Sequence, residues 1–150
     1  MYECEILDAH WVQQRPVFYP DGNGKRILIV DDSKSDVAII KHHIRSAYAS
    51  DKPVLLSVPR VSDALELLDE APFDLILLDL FLLDITGIAT VAALHAECPN
   101  IPIIVYSSTS DPKIQEEAIL CGASSYLVKG NENNHMLNLI INQTIAKEAC

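Results

Sequence analysis

No stretch of this 150-residue chain approaches the ~20 consecutive apolar residues needed to span a bilayer, although 49% of its residues are hydrophobic. Cationic residues are scarce: 11 lysines and arginines face 21 aspartates and glutamates, for a formal net charge of −10. Nucleic acid and anionic membrane both demand basic surface, so the charge argues against both as partners. The N-terminus, Met1-Tyr2-Glu3-Cys4-Glu5, lacks the basic start and apolar core of a secretory signal, and a cytoplasmic protein is expected. The four cysteines (Cys4, Cys98, Cys121 and Cys150) show no CxxC or Cys/His ligand spacing and are expected to stay reduced. Glycine is sparse as well. Gly22-Asn23-Gly24 precedes the first apolar run and no GxGxxG follows it, which argues against a dinucleotide site.

What is present is a pair of aspartate-terminated apolar runs. Asp31 and Asp32 close Ile27-Leu28-Ile29-Val30, and Asp79 closes Leu75-Ile76-Leu77-Leu78. Such runs read as buried parallel strands, whose carboxyl ends carry the ligand sites of open α/β sheets. If the two strands are neighbours, three carboxylates converge, and like charges that close are costly unless protonated or bound to a cation. A divalent metal site is the hypothesis that follows.

From residue 25 onward, strand-like and helix-like segments alternate. Strands are predicted near 26–31, 53–58, 73–79, 101–107 and 124–128, and helices near 34–48, 61–71, 87–98, 112–121 and 132–147. Val37, Ile40, Ile44 and Ala47 recur at helical spacing in the first helix; Ile88, Val91, Ala92 and then His95 mark the third. In the last helix Met136 and Ile140, and Leu137, Ile141 and Ile145, share that spacing. Ser33-Lys34-Ser35-Asp36 fits a capping box, and Asp111-Pro112 a capped start with proline in the first turn. Five βα units imply an α/β doubly wound (βα)5 fold, a flavodoxin-like parallel sheet. Strand order does not follow from sequence alone; the common order 2-1-3-4-5 places strands 1 and 3 side by side, as the aspartates require.

Residues 1–24 differ from the rest. Pro16, Pro20 and Asp21-Gly22-Asn23-Gly24 break regular structure, yet Tyr2, Trp11, Phe18 and Tyr19 make the segment rich in aromatics for a tail. Two domains of organisation are expected: an N-terminal arm and linker over 1–24, and a folded domain over 25–150. The arm either folds back on its own domain or docks a second copy or a partner, so a homodimer is worth testing.

The carboxyl edge of the sheet gains further chemistry from strands 4 and 5. Ile103-Ile104-Val105-Tyr106 ends at Ser107-Ser108-Thr109, and Tyr126-Leu127-Val128 ends at Lys129. Three acids, a hydroxyl and an ammonium would then share one edge. On residue type alone, Asp31-Asp32 is equally a turn or helix cap, Asp79 a solvated strand end, and Tyr126 a half-buried strand aromatic.

With these residues in view the chain resembles the receiver domain of two-component response regulators. The matching stretches are Ile27 to Asp32, Asp74 to Asp79, Pro102 to Ser108 and Gly122 to Lys129, and the likeness covers roughly residues 25–147. The resemblance implies that Asp79 accepts a phosphoryl group from a histidine kinase or phosphotransfer protein. It further implies that Asp31, Asp32, Asp79 and the backbone carbonyl of Phe81 hold Mg2+. Ser107 matches the switch hydroxyl, Tyr126 the switch aromatic and Lys129 the phosphate-binding lysine. Chemistry agrees: Mg2+ favours carboxylate and carbonyl oxygen, a carboxylate can attack phosphorus, and a transferring phosphoryl group needs cations and donors around its oxygens. Such a domain is no enzyme beyond its own phosphorylation and dephosphorylation.

The chain departs from the family pattern in places. Leu83 and Gly130 stand where most receivers have proline, which alters loop rigidity and not the charge inventory. Phe81, two residues past the acceptor, is bulky and apolar and is expected to hinder attacking water. An aspartyl phosphatase would carry a second acid at that position. A flavodoxin-like cofactor binder would find Asp31-Asp32 repelling its phosphate. The remaining alternative is a receiver-like docking module that is never phosphorylated. His42 and His43 fall in the first helix and read as solvated surface; His10, His95 and His135 lack metal-ligand spacing. With no room after the fifth helix for an output domain, a stand-alone receiver or one cut from a larger protein is expected. Its output would be a downstream protein target, met through the face of helix 4, strand 5 and helix 5, including Lys113, Glu116, Glu117, Tyr126 and residues near Asn133.

Overall fold

Every residue of the first strand, β1 (Arg26–Val30), is buried, and so is every residue of β3 (Leu75–Leu78) and β4 (Ile103–Ser107). These strands lie in the middle of a five-stranded parallel sheet of order β2-β1-β3-β4-β5, completed by β2 (Val54–Val58) and β5 (Ser125–Val128). The computed structural model describes residues 24–47, 53–130 and 134–149. The aromatic arm, with Tyr2, Trp11, Phe18 and Tyr19, lies outside the described residues, as does Asn133. The expected fold and strand order are both observed, with each strand one to three residues shorter than its apolar run predicts.

Burial on both faces explains the unbroken apolar runs. Alternate side chains point to opposite sides of a strand. Leu28, Val30, Ile76, Leu78, Ile103 and Val105 therefore pack against α2 (Val61–Glu70), α3 (Ile88–Glu97) and α4 (Pro112–Leu120). Ile27, Ile29, Leu75, Leu77, Ile104 and Tyr106 pack against α1 (Lys34–Ala47) and α5 (Asn134–Ala149). Each fully buried Leu or Ile contributes about 1.5–3 kcal/mol relative to an exposed one.

The helical faces follow the expected spacing with three corrections. Ile40 and Ile44 of α1 are buried, but Ala47 is exposed at the helix end, past the edge of the core. In α3 the buried face is Thr90, Val91 and Leu94, with the Thr90 hydroxyl donated to Gly87 O at 2.7 Å, and Ala92 is exposed. In α5, Leu137 and Ile141 are buried while Met136 is 42% exposed. Asp111 caps α4 as predicted, accepting the Lys113 N–H at 2.9 Å with Pro112 in the first turn.

Two glycines are required by geometry. Gly87 starts α3 at φ 78, and Gly122, at φ 123, leads into β5 with His95 pressed against it. A Cβ on Gly122 would lie 2.5 Å from His95 Cγ. His95 is thus a packing residue over the α4–β5 turn.

Candidate phosphoryl and metal site

Parallel pairing carries the two aspartate-terminated strands to the same level. Val30 stands beside Leu78 in register, and the ladder runs one step further as Asp79 N–H donates to Val30 O at 2.9 Å. On the other flank Asp31 N–H donates to Val58 O at 3.0 Å. Asp31, Asp32 and Asp79 consequently present carboxylate oxygens within 4.8 Å of one another at the carboxyl edge. Among the described residues this is the only cluster of three or more His, Cys, Asp or Glu side chains with such spacing. The donor set is all carboxylate oxygen, with no imidazole or thiolate, and it suits a hard divalent cation such as Mg2+ better than zinc.

Lys129 enters from the end of β5, where its N–H donates to Ser107 O at 2.8 Å and fixes the start of its side chain beside β4. Its ammonium stands 2.8 Å from Asp31 Oδ2, 2.8 Å from Asp36 Oδ2 and 3.6 Å from Asp79 Oδ2. Burial alone would lower the Lys129 pKa, but the hydrogen bonds to Asp31 and Asp36 and the charges of Asp31 and Asp79 outweigh it and raise it. Asp31 goes the opposite way from an ordinary ion-paired acid. Its side chain is 3% exposed, and burial pushes its carboxyl up to about 6 despite the Lys129 contact and the Ser33 N–H. A carboxylate held that far up is one whose charge is incompletely compensated by its own protein, which is what a cation site provides for.

Asp36 was expected to close a capping box. Half of that motif forms: Ser33 Oγ accepts the Asp36 N–H at 3.3 Å. The return bond does not, because the Ser33 N–H is taken by Asp31 Oδ1 at 2.9 Å and the Asp36 carboxylate turns to Lys129. Sequence reasoning missed this residue as part of the site. Its one signal was position, in the first turn of the helix that leaves Asp31-Asp32.

Ser107 and Tyr126 sit on neighbouring strands. Ser107 is fully buried, and its hydroxyl has no hydrogen-bond partner of good geometry, although the Tyr126 phenol is close enough to feel it. Tyr126 is half-buried with its hydroxyl donated to Thr109 O at 2.9 Å, in the β4–α4 loop. Burial raises its pKa above the ordinary phenol value.

The loop after Asp79 alternates inward and outward. Leu80 and Leu82 are buried, so Phe81 and Leu83 face solvent at 46% and 76% exposure. The loop is closed by Gly87 N–H to Leu80 O and by a single bridge between Phe81 and Thr86. Asp84 ties its outer end to another helix: Oδ1 and Oδ2 accept the N–H groups of Val61 and Ser62, at 3.1 and 3.0 Å, at the start of α2. A slight desolvation raises the Asp84 pKa, but those backbone donors prevail and hold it below the usual carboxylate value. Arg60, at the cap position of α2, supplies no side-chain bond, so an acid 23 residues away does.

Beside Asp31 and Asp32 a groove of about 890 Å3 runs between α1 and the β2–α2 turn. Lys34, Lys41, Arg45 and Arg60 line it, a local concentration of cations in an acidic chain. His42, which also lines it, is exposed and stands edge-on to His43 at 5.6 Å.

Comparison with known proteins agrees with this geometry. The family model described as the response regulator receiver domain matches residues 27–141. The transcriptional regulatory protein ZraR of Salmonella typhimurium is 32% identical over 110 residues, covering 69% of this chain and 22% of that protein. The two-component response regulator-like APRR9 of Arabidopsis thaliana is 36% identical over 121 residues, covering 76% and 24%. The chain thus spans about a quarter of the length of these curated relatives. Among solved structures, a CheY-like receiver domain protein from Methanospirillum hungatei superposes with TM-score 0.74 at 21% identity, covering 84% of this chain and 97% of that one. The receiver domain of a Luxo repressor protein from Vibrio parahaemolyticus gives 0.74 at 21%, covering 84% and 93%. At those identities the two structures speak for the fold.

Proposed function

The chain belongs to the response regulator receiver family of two-component signalling, and from that premise we propose that it is a Mg2+-dependent phosphorylatable switch with Asp79 as acceptor. The observation that carries this reading is the meeting of Asp31, Asp32, Asp79 and the Lys129 ammonium at one point of the sheet edge.

In this reading Asp31, Asp32, Asp79 and the Phe81 carbonyl would hold the cation, which would supply positive charge against the carboxylates and the incoming phosphoryl group. An Asp79 carboxylate oxygen attacks phosphorus in line. The bond from phosphorus to the imidazole nitrogen of a histidine kinase or phosphotransfer protein breaks as the acyl phosphate forms, and the nitrogen keeps the electron pair. Lys129 and the Ser107 hydroxyl take the remaining phosphoryl oxygens; that hydroxyl is buried and makes no well-formed hydrogen bond that would have to break first. Movement of Ser107 toward the phosphoryl group then alters the room open to Tyr126, whose hydroxyl is tied to the β4–α4 loop. Cations lining the groove beside Asp31 and Asp32 favour the approach of an anionic donor.

Receiver domains work through histidine kinases and downstream effectors. For this chain the proposed output surface is α4, β5 and α5, where Lys113 and Glu116 are exposed next to Ile119 and Leu120, at 45% and 78% exposure. Division into an arm over 1–24 and a receiver over 25–150, a cytoplasmic location, and a homodimer through the arm belong to the same reading. Among the described residues no helix is long and apolar enough to cross a membrane.

The test is labelling with acetyl phosphate or a kinase, with and without Mg2+, read by intact mass on wild type and Asp79→Asn. A metal-dependent gain of one phosphoryl group that the variant loses supports the reading. No gain while Mg2+ still binds replaces it with a docking module that acts without phosphate.

A further inference from the structure

Asp36 is a third carboxylate around the Lys129 ammonium, beside Asp31 and Asp79, and its side chain bonds to that ammonium at 2.8 Å. An ammonium has three protons to donate. Two are committed, to Asp31 and Asp36 at 2.8 Å each, and the distance to Asp79 is past hydrogen-bond length at 3.6 Å. The two tethers differ in what happens to them when the site is loaded. Asp31 lies inside the carboxylate cluster, so a cation there would take over its charge. Asp36 lies outside that cluster, on α1, and would keep its hold on the lysine.

Resting on the functional reading above, we propose that Asp36 is a positioning residue that holds Lys129 back from the phosphoryl group on Asp79 while favouring the cation. The two effects have opposite signs for one physical reason. Asp36 adds negative charge beside the site, which attracts a divalent cation and repels a phosphoryl anion. It also draws the ammonium outward, and an ammonium released from Asp36 would settle on Asp31 and Asp79, where it competes with the cation for their oxygens. Phosphoryl binding gains from that release, because its oxygens then meet a donor with one fewer competing acceptor. The Asp36 side chain is 39% exposed, so solvent screens the pair and the effect is moderate.

The experiment uses the full chain carrying Asp36→Asn, with Asp36→Ala as a second variant that any helix tolerates. Mg2+ affinity is measured by calorimetry. Affinity for beryllofluoride, a phosphoryl-shaped anion, is measured at saturating Mg2+ by fluorine NMR, alongside the rate of labelling by acetyl phosphate. The expected result is a pair of opposed shifts: Mg2+ binding weakens about two- to fivefold, and beryllofluoride binding and labelling strengthen by a similar factor. A merely structural role would weaken both together. No change, or a change of the same sign in both, overturns the inference while wild-type labelling leaves the functional reading standing. Wild type that takes up neither phosphate nor beryllofluoride overturns both.

Discussion

Asp84 Oδ1 accepts the backbone N–H of Val61 at 3.1 Å, across 23 residues of sequence. With Ser62 N–H on its other oxygen, Asp84 is the N-terminal cap of α2 and at the same time the anchor of the loop that follows Asp79. In this chain that loop has Leu83, 76% exposed, where family members commonly have proline. The anchoring is done by a side chain instead of a ring.

Asp84→Ala should therefore cost about 0.5–2 kcal/mol of stability, the range for losing an N-cap, and loosen the loop at the same time. Urea unfolding gives the first, and hydrogen exchange at the Val61, Ser62 and Ile85 amides the second. Asp84→Asn should lose less, since an amide oxygen still accepts. Unchanged exchange at Val61 and Ser62 would show that the cap carries no weight.

Ser107→Ala removes a buried hydroxyl that has no well-formed hydrogen bond. Stability should stay within about 0.5 kcal/mol of wild type, since no partner is left behind. Response to phosphorylation should suffer: the change in Tyr126 ring signals on adding beryllofluoride and Mg2+ is expected in wild type and absent in the variant. A variant with intact Tyr126 response would remove Ser107 from the switch.

Phe81, two residues past Asp79, faces solvent because Leu80 and Leu82 on either side are buried. Replacing it by asparagine trades an apolar cover for a group that can hydrogen-bond water. The acyl phosphate of Phe81→Asn should decay about threefold faster or more, followed by intact mass after removal of the phosphodonor. Equal half-lives would mean that Phe81 does not shield the phosphoryl group.

The Asp31 carboxyl is raised from 3.8 to about 6 by burial foremost. An acid with a raised folded-state pKa stabilises the fold fully below its unfolded value and loses that contribution as pH climbs through the folded one. In chelator, wild type should lose up to about 3 kcal/mol relative to Asp31→Asn between pH 4 and pH 7. Excess Mg2+ should remove most of that slope in wild type and none of it in the variant. Parallel pH profiles for the two proteins in chelator would contradict the burial argument.

The sequence by itself determined the alternation of strands and helices, the depth of the central strands and the edge at which the chemistry would gather. Periodicity and unbroken apolar runs are local records of burial, so Ile27 to Val30 and Leu75 to Leu78 announce buried parallel strands without reference to anything else in the chain. Strand order was a choice between common solutions, and only the packed sheet decided it, placing Val30 beside Leu78 and so Asp31 near Asp79. Asp36 shows where local reading stops. Its spacing from Ser33 predicts a carboxylate folded back on its own helix, yet Lys129, 93 residues on, draws it across the site. Asp84 is the converse, a loop acid whose partners on α2 no local pattern names. A side chain's neighbours along the chain fix which face it occupies. Which charge it meets there depends on elements brought together from far apart, and that is settled only when the whole sheet has closed.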